Sequence, residues 1–132
     1  MDSVLLDRIA NEHRIRLLLQ FGSTVSGAEH AHSDVDLAVE FRQVPASFRE
    51  FGAVIADLQR LFPHREVDVA VLNHADPLFL DRILRTCRLL HGDPRWLAEL
   101  RIHAFKRYQD HKRFLALERE YVARVLARAG AR

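Results

Sequence analysis

Three aspartates stand where the surrounding pattern calls for buried strand, and that conflict narrows what the chain can fold into. Asp34 and Asp36 head the run DVDLAVEF at 34–41, and Asp68 sits inside EVDVAVL at 66–72. Residues two apart on a strand leave the same face, so Asp34 and Asp36 share a face with Ala38 while Leu37 and Val39 take the other. In the later run Val67, Val69 and Val71 face one way, and Asp68 and Ala70 the other. An ionised carboxylate in an apolar sheet is costly unless it is paired or bound to a metal ion. If the two strands lie side by side, three carboxylates converge at one sheet end and repel one another unless a cation sits among them. Mg²⁺, which takes oxygen ligands, suits that set.

The remaining chain alternates helix and strand patterns. Leu5, Leu6, Ile9 and Ala10 predict a short amphipathic helix over 3–13, and the apolar run 15–21 predicts a buried strand ended by Gly22. A helical turn over 23–28 and a polar loop over 29–33 lead into the strand at 34–41. Ser47 and Glu50 form a capping box for a helix whose apolar face is Phe48, Phe51, Ile55, Leu58 and Phe62, stopped by Pro63. After the strand at 66–72, Asp76-Pro77 starts a helix carrying Phe79, Leu80, Ile83, Leu84 and Cys87 inward. A brief strand at 88–91 follows. Asp93-Pro94 then starts a long helix over 93–128, with a stripe through Leu97, Leu100, Ala104, Tyr108, Leu115, Val122, Val125 and Ala129. The pattern predicts an α/β (α+β) fold, a mixed sheet flanked by helices, in one domain spanning 1–132.

Net charge is +2, too small an excess to argue for nucleic acid as a partner. No apolar run reaches membrane-spanning length, and acids among the first residues argue against a signal peptide. Cys87 is the single cysteine, so no internal disulfide forms and the expected location is cytoplasmic.

Gly22 and Ser23 stand at the strand end ten or so residues before Asp34. Glycine lets backbone come close to a ligand, and a serine opening a helical turn leaves N–H groups free to hold phosphate. A phosphate grip beside a metal grip points to nucleotide chemistry. Three acids holding two Mg²⁺ ions suit in-line attack on a nucleoside triphosphate, with Asp68 able to accept the proton of the attacking hydroxyl. Catalysis would then rest on positioning and charge neutralisation. The plain alternative is that each aspartate caps a helix or pairs with an arginine.

Gly22-Ser23, SDVDLAV around Asp34 and Asp36, and VDVAVL around Asp68 together resemble the DNA polymerase beta-type nucleotidyltransferase superfamily, and within it the minimal MntA-like antitoxins. The resemblance runs from about residue 15 to 91. It implies Asp34, Asp36 and Asp68 as metal ligands, Asp68 as the base, and Gly22 and Ser23 as phosphate contacts, with ATP as the nucleotide donor. It also implies a partner, a HEPN-type ribonuclease toxin encoded by a neighbouring gene and neutralised by AMP on a tyrosine. Alternatives are an antitoxin acting by binding alone and a nucleotidyltransferase for a small hydroxylated molecule. The length is expected to leave no room for a tRNA-binding or aminoglycoside-binding domain. The family often reads Gly-Ser-x-Ala-Arg-Gly, whereas here Ser26 stands in the arginine's place, removing a cation that grips phosphate. Arg65 is a candidate substitute.

Other residues have blander readings. His30 and His32 lack further ligands at zinc spacing. Cys87 lies on an apolar stripe and reads as core. Arg101, Lys106, Arg107, Lys112 and Arg113 make a basic cluster, by default a solvated helix face, and part of the long helix's stripe is left over for a partner.

Overall fold

The computed structural model describes residues 1–22 and 34–130. Their elements run α1 (Ser3–Glu12), β1 (Ile15–Phe21), β2 (Val35–Phe41), α2 (Phe48–Gln59), β3 (Val67–Val71), α3 (Pro77–Arg85), β4 (Arg88–His91) and α4 (Pro94–Gly130). The sheet order is β3-β2-β1-β4, with β1 antiparallel to β2 and β4, and β2 parallel to β3. It is the expected mixed sheet. The helical turn anticipated at 23–28 lies outside the described residues.

Strand alternation divides the core into two layers. On one face Leu18, Leu37, Val39 and Val69 pack with Ile9 of α1 and with Val54 and Leu58 of α2. On the other, Leu19, Ala38 and Ala70 pack under Leu80, Ile83 and Leu84 of α3 and Leu97 and Ala104 of α4. The central strands β1 and β2 are therefore apolar on both sides, which is why 15–21 reads as a continuous hydrophobic run.

Helix starts follow their caps. The Asp2 side chain accepts from Val4 and Leu5 N–H, and Asp76 from Leu78 and Phe79 N–H. Ser47 accepts from Glu50 N–H at 3.2 Å, while Glu50 accepts from Ala46 N–H, one residue earlier than a capping box predicts.

Two expected faces are corrected. α2 buries Val54 and Leu58 and leaves Phe48 96% exposed. It also ends at Gln59, before Pro63, because the Gln59 amide donates to Phe62 and Arg65 carbonyls and accepts from Val67 N–H. That amide builds the turn into β3. In α3, Leu80, Ile83 and Leu84 are buried as predicted, but Phe79 is 42% exposed and Cys87 falls beyond the helix, half-buried. In α4 only Leu97 and Ala104 of the predicted stripe are fully buried.

Two polar devices fix the sheet end opposite Asp34. Asn73 donates to the Phe41 carbonyl and accepts from its N–H, at 2.9 and 2.8 Å, extending the β2–β3 pairing by one rung. The Arg16 guanidinium lies 4.4 Å from the Trp96 ring centre and 3.7 Å from Glu40, tying the first turn of α4 to the sheet. Gly92, with φ +118°, passes so close to the Arg16 carbonyl and the Leu17 side chain that a β-carbon would collide with them.

Across the other layer, His13 at the end of α1 meets Asp57 of α2 at 2.6 Å. The His13 hydrogen bond holds the Asp57 carboxyl below its ordinary value of 3.8. That contribution to stability is present above 3.8 and is lost as pH falls through the lowered native value. Replacing Asp57 by Asn should cost on the order of 0.5–1 kcal/mol at pH 7, since the pair is partly solvent-screened. The corresponding loss is about 2–4 °C in Tm. The difference from wild type should shrink below pH 4 in a calorimetric pH series.

Candidate active site

β2 has a neighbour on each side, so the residues opposite Asp36 are set by register. Phe21 of β1 and Asp68 of β3 are its partners. Residues directly opposed across a strand pair share a face, and here it is the α3–α4 face, where Phe21, Ala38 and Ala70 pack. Asp34 precedes Asp36 by two residues, on the same side by alternation. The Val35 N–H donates to the Glu66 carbonyl at 2.8 Å, locking the start of β2 beside the start of β3. Asp34, Asp36 and Asp68 are thus brought to one end of one sheet face.

The electrostatics follow from that placement. The Asp36 carboxyl is raised above its ordinary 3.8, first by desolvation, then by Asp68, then by Asp34. Like charges that must ionise together resist the second charge. Among the described residues, however, the set whose candidate ligand atoms all lie within 4.8 Å of one another is Glu12, His13 and Asp57, not the aspartates. The ion pair between His13 and Asp57 accounts for the tightness of that set. Among the described residues, no ion pair is formed by the three aspartates.

Gly22 closes the site from the β1 side. Its φ is +79°, and a β-carbon there would run into the Asp36 carboxylate. Only glycine can make this turn and leave room for the acid. Phe21, immediately before it, meets Phe79 edge-on with centroids 6.5 Å apart, so α3 supplies an aromatic wall next to Asp36. Phe21 was legible only as the end of a hydrophobic run; its position opposite Asp36 comes from the register.

Ser23, the second expected phosphate contact, lies outside the described residues, as do Ser26, His30 and His32. Arg65 lines a cleft of about 610 Å³ with Leu6, Gln20, Val35 and Leu61. Leu6, Val35 and Leu61 belong to the α1–α2 layer. The cleft that Arg65 lines is therefore bordered by the α1–α2 layer, whereas Asp36 and Asp68 lie on the α3–α4 face. Cys87 accepts from the Arg101 guanidinium at 3.4 Å and packs in the α3–α4 layer, consistent with the core reading.

With a mixed sheet, an acid pair in register across β2 and β3, and a glycine turn against one of those acids, the architecture is that of a nucleotide-transfer domain. Residues 5–95 match the family described as "Polymerase beta, Nucleotidyltransferase". The match spans more than half of the chain, and the chain belongs to that family.

Among solved structures, a toxin–antitoxin complex with AMP-PNP superposes with a TM-score of 0.71 at 18% identity, covering 96% of this chain and 99% of that one. A tri-AMPylated Shewanella oneidensis HEPN toxin in complex with MNT antitoxin gives 0.63 at 16% identity, with coverage of 96% and 99%. Spectinomycin adenyltransferase AAD(9) from Enterococcus faecialis gives 0.54 at 15%, covering 74% of this chain and 57% of that one. At these identities the likeness is one of fold. No curated protein matches the sequence.

Two consequences can be measured. Because the native Asp36 carboxyl binds its proton more tightly than the unfolded chain does, its contribution to stability is full below 3.8 and is lost as pH rises through the raised native value. Asp36→Asn should therefore raise Tm at pH 7 in metal-free buffer, by about 2 °C or more, and the gain should vanish in acid. Gly22→Ala should displace Asp36 and lower nucleotidyl transfer by about a hundredfold, while a Cβ-free control, the wild type, keeps the full rate in the same assay.

Proposed function

We propose that this chain transfers AMP from ATP to a tyrosine hydroxyl of a HEPN-type ribonuclease partner encoded by a neighbouring gene, and thereby neutralises it. The observation that carries the reading is the register pairing of Asp36 with Asp68, with Asp34 on the same face and Gly22 against Asp36. Family membership supplies the reaction class. Two of the solved structures of similar fold are toxin–antitoxin complexes, one holding AMP-PNP and one an AMPylated HEPN toxin. They support the choice of acceptor.

The donor set fits Mg²⁺: hard carboxylate oxygens, with the Asp36 carboxyl raised first by desolvation and then by Asp68 and Asp34. Asp34, Asp36 and Asp68 would hold it. When bound, Mg²⁺ neutralises triphosphate charge and lowers the pKa of the attacking hydroxyl. The chain's own groups do the rest. Backbone N–H groups of Gly22 and Ser23 receive the phosphates. Asp68 takes the proton from the tyrosine oxygen as that oxygen bonds to the α-phosphorus. The bond from the α-phosphorus to the bridging oxygen breaks, and pyrophosphate leaves with the electron pair. Gly22 leaves the space that keeps the Asp36 carboxylate among the groups that would hold the cation.

The test is incubation with ATP, Mg²⁺ and the purified neighbouring-gene product, followed by intact-mass measurement of each protein. The expected result is one or more AMP increments on the partner, lost in the Asp34→Ala/Asp36→Ala double variant. Unchanged masses together with undiminished neutralisation by that double variant would replace this reading with neutralisation by binding. An adduct found only on an added aminocyclitol would move the acceptor to a small molecule. Mg²⁺ should also raise the Tm of the wild type and leave that of the double variant unmoved.

A further inference from the structure

α4 is 37 residues long, about 55 Å at 1.5 Å per residue, and only its first part rests on the domain. Its fully buried residues are Leu97 and Ala104, both on α3 and the sheet. From 112 onward the helix carries no buried residue, although it remains strongly apolar. Phe114, Leu117, Tyr121 and Leu126 are 62%, 59%, 64% and 66% exposed, and Val122 and Val125 nearly half exposed.

At 100° per residue these side chains are not scattered. Phe114, Leu117, Tyr121 and Val125 form one row, and Leu115, Val122, Leu126 and Ala129 the adjoining one, giving an apolar arc of about half the helix circumference. The second row continues the face that packs on the domain at Leu97 and Ala104. A face of this width with nothing over it marks an interaction surface.

Charge decides what covers it. Lys112 and Arg119 border one side of the arc; Arg113 and Arg124 border the other, with Arg128 just inside that edge. Glu120 lies on the back of the helix, and Glu118 is the one acid within the arc. Among the described residues none of these five cations is in an ion pair. Residues 112–130 therefore carry a net +3, with positive charge along each edge of the apolar face. Two copies of this helix would set like charges edge to edge, which disfavours self-pairing.

We infer that the second half of α4 is the docking helix for a partner helix whose apolar face is bordered by Asp and Glu and offers one cation opposite Glu118. Such a pair is the helix-against-helix mode, with a hydrophobic seam for affinity and flanking charges for partner choice. The inference rests on the proposed transfer to a partner protein, and it names the surface that brings the acceptor to the site.

Binding is measured without ATP, so that docking and transfer are read separately. The whole chain is titrated with the purified neighbouring-gene product by calorimetry at two salt concentrations. Wild type should bind, more weakly at high salt. Arg113→Glu/Arg124→Glu/Arg128→Glu and, independently, Leu117→Ser/Tyr121→Ser should each weaken binding by about tenfold or more. Their unfolding temperatures should stay unchanged, because the altered residues lie outside the core, and Asp34→Ala/Asp36→Ala should bind as wild type does. Equal binding by the α4 variants overturns the inference even where AMP transfer proceeds. So does a sedimentation profile in which the chain alone dimerises and Val125→Asp disperses the dimer. Absence of any complex with wild type overturns it as well, while the mass assay still reports independently on transfer.

Discussion

Two carboxylates set opposite each other across a parallel strand pair form the constraint on which this structure turns. The pairing of Asp36 with Asp68 is imposed by backbone hydrogen bonds that also align Val35 with Val67 and Leu37 with Val69. Shifting β3 by one residue would relieve the charge repulsion, but it would turn Val67, Val69 and Val71 out of the α1–α2 layer. Burial of three valines outweighs repulsion between carboxylates at a partly solvated sheet end. The fold thus holds in place an unfavourable charge arrangement that a bound cation would relieve.

Everything near that pair serves to keep it open. Gly22 leaves the space that the Asp36 carboxylate fills, and Phe21 with Phe79 walls one side without supplying a counter-charge. At the opposite sheet end the polar groups are instead matched: Asn73 with the Phe41 backbone, Arg16 with Glu40 and Trp96. Burial lifts the Glu40 carboxyl, opposed by Arg16 and then His103. Among the described residues, one end of the sheet pairs its charges from within, and the other gathers three carboxylates. That asymmetry is what the proposed site for a cation and a polyphosphate requires.

The anchoring of Trp96 also explains the course of α4. Once its first turn is fixed over Arg16 and its Leu97 and Ala104 are buried on α3, a straight helix of 37 residues must run past the edge of a small domain. The apolar stripe was readable from spacing, and the helix's length left part of it for a partner, but spacing alone did not say where the packed part ends. The periodicity of a helix says which residues share a face and nothing about how far the surface beneath it extends. For the same reason Phe48 and Phe79 were assigned inward: their three-four spacing is real, yet each lies at a helix start, beyond the rim of the layer below.

By itself the sequence determined the elements, the caps, the alternation of Asp68 against three valines, and the candidacy of Gly22, Asp34 and Asp36 as one site. These are local properties, written in periods of two and 3.6 and in side chains that bond backbone a few residues away. Only the tertiary structure decided that β2 and β3 are neighbours in the register that sets Asp36 against Asp68. It also decided that Gly22 abuts Asp36, that the cleft lined by Arg65 borders the other layer, and that the end of α4 stands clear of the core. Those outcomes depend on strand order and on where one packed surface stops, which are fixed by summed burial over residues far apart in the chain.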